Sequence, residues 1–266
     1  MTYRTRTQLF WLSVGMFILI APPMLFYATG WRITSELDIE RTGGLFIAVP
    51  ESGSKVYLDG DLERETNFLQ SGTLIQNLTP RNYSVLVAKD GYWPWTKQLA
   101  VEGSAVVEAK ALLVPQNVGG TPVARTAAEY KAAINAIEKA KRNTATSTEE
   151  ARFGLAQDRK GRAEIWWDSG QHIWFRWISD APLPYYTDLP AKILFQSRSP
   201  LHGIAFYPSR DDVILLAAEN SIFALEIDAR GTQNFQPIYK GVEPSLARVN
   251  RDIYVLDQGM LTRIEL

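Results

Sequence analysis

Residues 9–28 read LFWLSVGMFILIAPPMLFYA, a run with no charged side chain. A helix of that length spans a hydrocarbon core of ~30 Å, and few other structures accommodate so long an apolar run. The expectation is one transmembrane helix over residues 9–33, preceded by a tail of residues 1–8. Trp11 near one end, and Tyr27 and Trp31 near the other, stand where aromatic rings prefer the headgroup region. Pro22 and Pro23 bend such a helix without preventing insertion, because the freed carbonyls are satisfied locally. Arg4 and Arg6 precede the run, whereas Arg32 and Arg41 after it are mixed with Glu36, Asp38 and Glu40. By the positive-inside rule the N-terminus is cytoplasmic and the rest of the chain lies outside the cell membrane. A cleaved signal would need a small residue at both positions of its cleavage site, and Phe26-Tyr27-Ala28 puts a bulky one at the first. An anchor is therefore expected.

Beyond Trp31 the chain changes character. Strand-like stretches at Leu45–Val49, Lys55–Leu58, Tyr83–Ala88, Lys97–Val101 and Ala105–Val114 are separated by Pro, Gly, Asp and Asn. They predict a small β-sandwich over residues 43–115. Residues 116–150 form a linker whose positions 127–142 hold Tyr130, Ile134 and Ile137 at helical spacing, so one amphipathic helix is expected there, with a solvated loop over Asn143–Glu150. From Arg152 onward strands return. EIWWDSGQHIWFRWI, DVILLAAENSIFALEID and DIYVLDQGMLTRIEL each read as strand, polar turn, strand. Their spacing is that of propeller blades, but residues 151–266 supply fewer than three, and a closed propeller needs at least four. The fold class is mainly β: a transmembrane helix, a sandwich, then an incomplete propeller-like antiparallel module. Such a module leaves open sheet edges, which invite pairing with another copy or another chain.

Lys55-Val56-Tyr57-Leu58-Asp59-Gly60, then Leu78-Thr79-Pro80-Arg81-Asn82-Tyr83, then Val85 to Lys89-Asp90-Gly91-Tyr92, together resemble a PEGA domain. The resemblance covers residues 43–115 and departs at three places. Ser54 stands for the name-giving Ala, Arg81 replaces the usual Gly, and no Gly-x-Thr-Pro turn follows Gly60. The last departure leaves the path of residues 61–72 open. The resemblance implies a small β-sandwich of bacterial envelope proteins, associated with cell-surface glycan or protein, with no catalytic residues to transfer.

Chemistry has little foothold in the residues themselves. Lys and Arg number 28 against 29 for Asp and Glu, so no field recruits nucleic acid. Cysteine is absent, which removes disulfides and thiolate catalysis. His172 and His202 lack partners at metal-ligand spacing, and no nucleophile elbow, zinc helix or phosphate loop occurs. No cofactor, metal or catalytic residue is expected. Two carboxylates suffice for a glycosidase, so Glu164, Asp168 and Asp180 define an alternative as a glycan-degrading enzyme. The aromatic residues matter more. Trp93 and Trp95, and the cluster Trp166, Trp167, Trp174 and Trp177, are candidate contacts for glycan or protein, because ring faces stack on sugars. Their competing role is core. Adjacent Trp166 and Trp167 on one strand must face opposite sides, so one of them needs a partner beyond a single sheet face. The function expected is a non-enzymatic, membrane-anchored binding or scaffold module of the envelope.

Overall fold

The computed structural model describes residues 3–33, 39–67, 71–142 and 151–266. The loop expected over Asn143–Glu150, and the flanking charges Glu36 and Asp38, lie outside the described residues. The described chain is mainly β with two helices.

Helix α1 runs Tyr3–Ala28, and its apolar side chains stand exposed, as those of a lipid-facing helix do. At 26 residues it is about 39 Å long, more than a hydrocarbon core requires. Both of its ends correct the sequence expectation. Residues 3–8 are helical and not a separate tail, since nothing in their sequence stops a helix from propagating. At the other end the helix stops at Ala28 and not at Ile33. Thr29 donates its hydroxyl to the carbonyls of Leu25 (2.8 Å) and Phe26 (3.0 Å), and Gly30 turns the chain at φ 84°. Trp31–Ile33 then pairs antiparallel with Ile39–Arg41.

The end of the helix is tied to the β body. Arg32 donates to the carbonyls of Tyr27 (2.8 Å) and Trp31 (2.9 Å) through Nη1, and to Asn77 Oδ1 (2.8 Å) through Nη2. Trp31 stacks on Phe26, and both the N–H and the hydroxyl of Thr42 bond the Gly30 carbonyl.

Two sheets then face each other. Gly43–Ala48 lies between Gly72–Leu78, antiparallel, and Val106–Lys110, parallel. The opposing sheet has the order Asp61–Glu65, Lys55–Leu58, Asn82–Ala88, Trp95–Ala100. Alternation at period two drives Leu45 and Ile47 from one sheet, and Val56, Val85, Val87, Trp95 and Leu99 from the other, into a shared core. The stretch expected as one strand from Ala105 to Val114 breaks in two. After Val106–Lys110, residues Ala111, Leu112 and Leu113 are buried outside any strand, and Val114–Pro115 pairs with Tyr92–Trp93.

Downstream there are three four-stranded antiparallel sheets among the described residues, and residues 151–266 supply eleven of their twelve strands, so that stretch alone completes only two of them. Sheet I is Phe153–Gln157, Ala163–Trp167, His172–Trp177 and Ala191–Gln196. Sheet II is Leu201–Phe206, Val213–Ala218, Ser221–Glu226 and Phe235–Lys240. Sheet III is Ser245–Val249, Asp252–Asp257 and Met260–Ile264, and Gly120–Pro122 from the linker supplies its fourth strand. That recruited strand covers the edge which Met260–Ile264 would otherwise expose.

Sheet II is the middle layer. Ile204, Phe206, Ile214, Leu216 and Leu225 pack against sheet I, while Ala205, Val213, Leu215, Ile222 and Ala224 pack with sheet III and the sandwich. Its central strand, VILLAA, is buried at every position, as a strand covered on both faces must be. The three sheets do not close into a ring. Helix α2, Ala128–Ala140, lies across the first strands of all three and buries Ala133 and Ile137 against Ala247, Tyr254 and Leu261 of sheet III.

Candidate binding surface

Sheet I divides the tryptophans by strand phase. Ala163, Ile165 and Trp167, with Ile173, Phe175 and Trp177, point inward to sheet II. Glu164, Trp166 and Asp168, with His172, Trp174 and Arg176, occupy the outer face. There Trp166 and Trp174 are opposite one another across two strands, with rings nearly parallel at 5° and centroids 6.1 Å apart. The Arg152 and Arg176 guanidinium carbons lie 4.8 and 5.4 Å from the Trp166 centroid. Arg176 also forms a short charged hydrogen bond to Glu164. Ile193, the cross-strand neighbour of Trp174 on the far side, is exposed. The partner that Trp166 needs is thus supplied by the same face, as a ring and two cations. Trp174 is the half-exposed member, and its indole N–H donates to Asp168 (2.9 Å).

The six candidate rings accordingly do not form one surface. Trp95 is fully buried, Trp167 lies under sheet I against Phe153, and buried Trp177 donates to the Ala181 carbonyl. Burial removes these three from ligand contact, because their strand phase matches the core residues beside them, and Trp166, equally buried under its neighbouring ring and cations, is removed with them. Trp93 is half-buried in the short ladder with Val114 and belongs to the sandwich, apart from sheet I.

The carboxylates are likewise occupied. Glu164 is buried and held by Arg176. Asp168 accepts from the His172 backbone N–H (3.0 Å) and Trp174, with His172 Nδ1 at 3.1 Å. Burial alone would raise the Asp168 carboxyl, but the bonds from Trp174 and His172 hold it below the usual carboxylate range. Asp180 is exposed in the turn after Trp177. No group of three His, Asp or Glu side chains suited to a metal ion converges among the described residues.

Sequence reasoning missed the polar joint between sandwich and sheet II. Lys97, fully buried, donates to Glu226 Oε2 (2.9 Å) and to the Asp228 (2.8 Å) and Thr232 (3.2 Å) carbonyls, with Asp228 Oδ2 at 3.5 Å. Trp95 Nε1 donates to Glu226 Oε1 (2.8 Å), and Asn234 Nδ2 to Oε2 (2.8 Å). Nearby, Arg210 grips Asp212 with two bonds and donates to the carbonyls of Ala111 (2.6 Å) and Lys110 (3.2 Å). Arg230 likewise holds Asp228 and reaches the Glu108 carbonyl (2.7 Å).

Burial by itself would raise the carboxyls of Asp212 and Asp228. Arg210 outweighs it at Asp212, and Arg230 with Lys97 outweighs it at Asp228, so both sit below the usual value of 3.8. A carboxyl depressed in the folded state contributes stability that is complete above its unfolded value and is lost as pH falls through the folded value. Unfolding free energy should therefore drop as the medium is acidified below about pH 4. Asp228→Asn should lower stability at neutral pH and flatten this acid limb. Denaturant titrations from about pH 7 down to about pH 2.5 measure both effects.

No family model matches the chain, and no curated protein matches it in sequence. The PEGA resemblance therefore rests on the residues that carry it. Among solved structures the chain is similar to BamB from Moraxella catarrhalis, at 12% identity and TM-score 0.32, over 82% of this chain and 66% of that one. It is also similar to a structural genomics protein of unknown function from Bacteroides thetaiotaomicron, at 9% identity and TM-score 0.28, over 79% and 78% of the two chains. Likeness at this level establishes neither a shared architecture nor a shared activity.

Proposed function

We propose that this chain is a non-enzymatic module of the cell envelope. Helix α1 anchors it in the membrane with the N-terminus cytoplasmic, and its PEGA-like sandwich and propeller-like sheets face a surface protein or glycan. The join between α1 and the β body carries the reading. An apolar helix ends in a hydrogen-bonded hairpin whose Arg32 holds the Tyr27 carbonyl of the last turn while reaching Asn77 in the sandwich, and the sandwich is fused to sheet II through buried Lys97. A cleaved leader has no use for bonds between its last turn and the body that it leaves behind. Continuity of this kind fixes the distance of the outer sheets from the bilayer, which a scaffold needs and a flexible tether does not supply.

The outer face of sheet I is the contact surface in this reading, with half-exposed Trp174 and exposed Ile193 beside the Arg176–Glu164 pair. Two of the open edges disfavour edge-to-edge self-association. Asp61–Glu65 is charged throughout apart from Leu62, and Phe235–Lys240 carries Pro237, which lacks the N–H that a new strand would need.

Full-length protein in nanodiscs, incubated with isolated cell-wall glycan and separately with solubilised envelope proteins, tests the proposal. Retention by either, weakened about tenfold by Trp174→Ala with an unchanged melting temperature, is the expected result. Release of reducing ends from the glycan, abolished by Glu164→Gln, would replace the proposal with an enzyme.

A further inference from the structure

We propose that the turns following the first strands of sheets I and II, with Arg248 in the first strand of sheet III, form a binding site for a phosphate-class oxyanion. Gln157 and Phe206 end the first strands of sheets I and II, and the turns after them meet Arg248, one residue before the end of Ser245–Val249, at one end of the stack. They enclose a recess of about 130 Å³ lined by Arg159, Lys160, Tyr207, Ser209, Arg210 and Arg248, with Asp211 at its side.

The charges in this recess do not balance. Asp211 is taken by Arg162 Nη2 at 2.9 Å, and Arg210 is taken by Asp212. Arg159, Lys160 and Arg248 form no ion pair among the described residues. Arg248 is half-buried, and its Nε is fixed on the Asn250 carbonyl at 2.9 Å, which leaves the terminal nitrogens of the fork for another acceptor. Burial lowers the Arg248 pKa, and the like charge of Arg159 lowers it further, with Asp158 offsetting only part. Holding like charges together in a partly dry recess is unfavourable unless an anion completes the set.

Shape narrows the class of ligand. The recess is well below the ~300–1,000 Å³ of pockets for drug-sized molecules, which suits a small oxyanion. Two guanidinium groups and an ammonium present donors only at physiological pH, and the Ser209 hydroxyl can donate beside them, as a phosphate with several acceptor oxygens requires. Free phosphate, a phosphodiester of a wall polymer and a lipid headgroup share this chemistry. The site stands apart from the outer face of sheet I and is independent of that reading.

Calorimetric titration of the full chain in neutral-lipid nanodiscs with inorganic phosphate tests it, using chloride as the control anion. Saturable binding is expected, weakened at least tenfold in Arg159→Ala/Lys160→Ala and in Arg248→Gln. The first pair is exposed, so the double variant should keep its melting temperature without phosphate and lose the rise that phosphate produces. No saturable heat, or binding unchanged in both variants, overturns the proposal. Repeating the titration in nanodiscs containing phosphatidylglycerol separates the sources. Weaker apparent phosphate binding there assigns the site to a headgroup, and unchanged binding assigns it to a soluble or wall-borne phosphate.

Discussion

Lys97→Ala is expected to destabilise the β body by about 3–5 kcal/mol, the cost of removing one partner from a buried ion pair. The ammonium is fully buried and is the cation between Glu226 and Asp228, so its loss leaves Glu226 charged and dry. Trp95 and Asn234 still donate to that carboxylate, but neither supplies a charge. Adding Glu226→Gln should therefore recover part of the loss, a coupling that a merely steric effect of Lys97→Ala would lack. Urea unfolding of the two single variants and the double variant measures it. A loss below about 1 kcal/mol would place the ammonium in water and the sandwich apart from sheet II.

Gly154→Ala is the second large effect. Gly154 has φ 59°, and a Cβ there would lie 1.8 Å from Cζ3 of Trp167. The left-handed backbone costs ~1–2 kcal/mol for an L-residue, and forcing a core ring aside adds ~1–3 kcal/mol. Trp167 cannot swing away, because Phe153 stacks on it and the sheet I core packs around it. The expected loss is about 2–5 kcal/mol, accompanied by a change in tryptophan fluorescence. A variant as stable as the parent would mean that the first strand of sheet I does not close over Trp167 as described.

Local pattern made much of this architecture legible. Lys55–Leu58 and Tyr83–Ala88 announce themselves by β-branched alternation, and the three hairpin echoes became the central strands of three sheets. Several strands escaped, Gly72–Leu78 among them, and two did so for contrasting reasons. Asp61–Glu65 is exposed at all five positions, so no apolar period marks it. Gly120–Pro122 is three residues long and pairs with Thr262–Ile264, far along the chain, so only tertiary packing reveals it.

The tryptophans were half legible. Opposed facing of Trp166 and Trp167 follows from strand geometry, but the cations that cover Trp166 do not. Lys97 left a trace that was readable in kind and not in identity. It shares strand phase with Trp95 and Leu99, which marks an inward lysine in need of an acid. That acid lies 129 residues away, beyond any local signal.

The proposed function requires an uncleaved anchor with the β body outside the cytoplasm. The chain has no cysteine, so a single introduced thiol reports its own position without background. Gln8→Cys and Met260→Cys place one thiol at each end of the chain, and both parent side chains are exposed. In spheroplasts of a bacterial host, a membrane-impermeant maleimide should label the Met260→Cys variant at once and the Gln8→Cys variant only after lysis, with both proteins retained in the membrane after an alkaline wash. Protection of the Met260→Cys thiol in intact spheroplasts, or a soluble product that has lost residues 3–28, would contradict this topology and the function built on it.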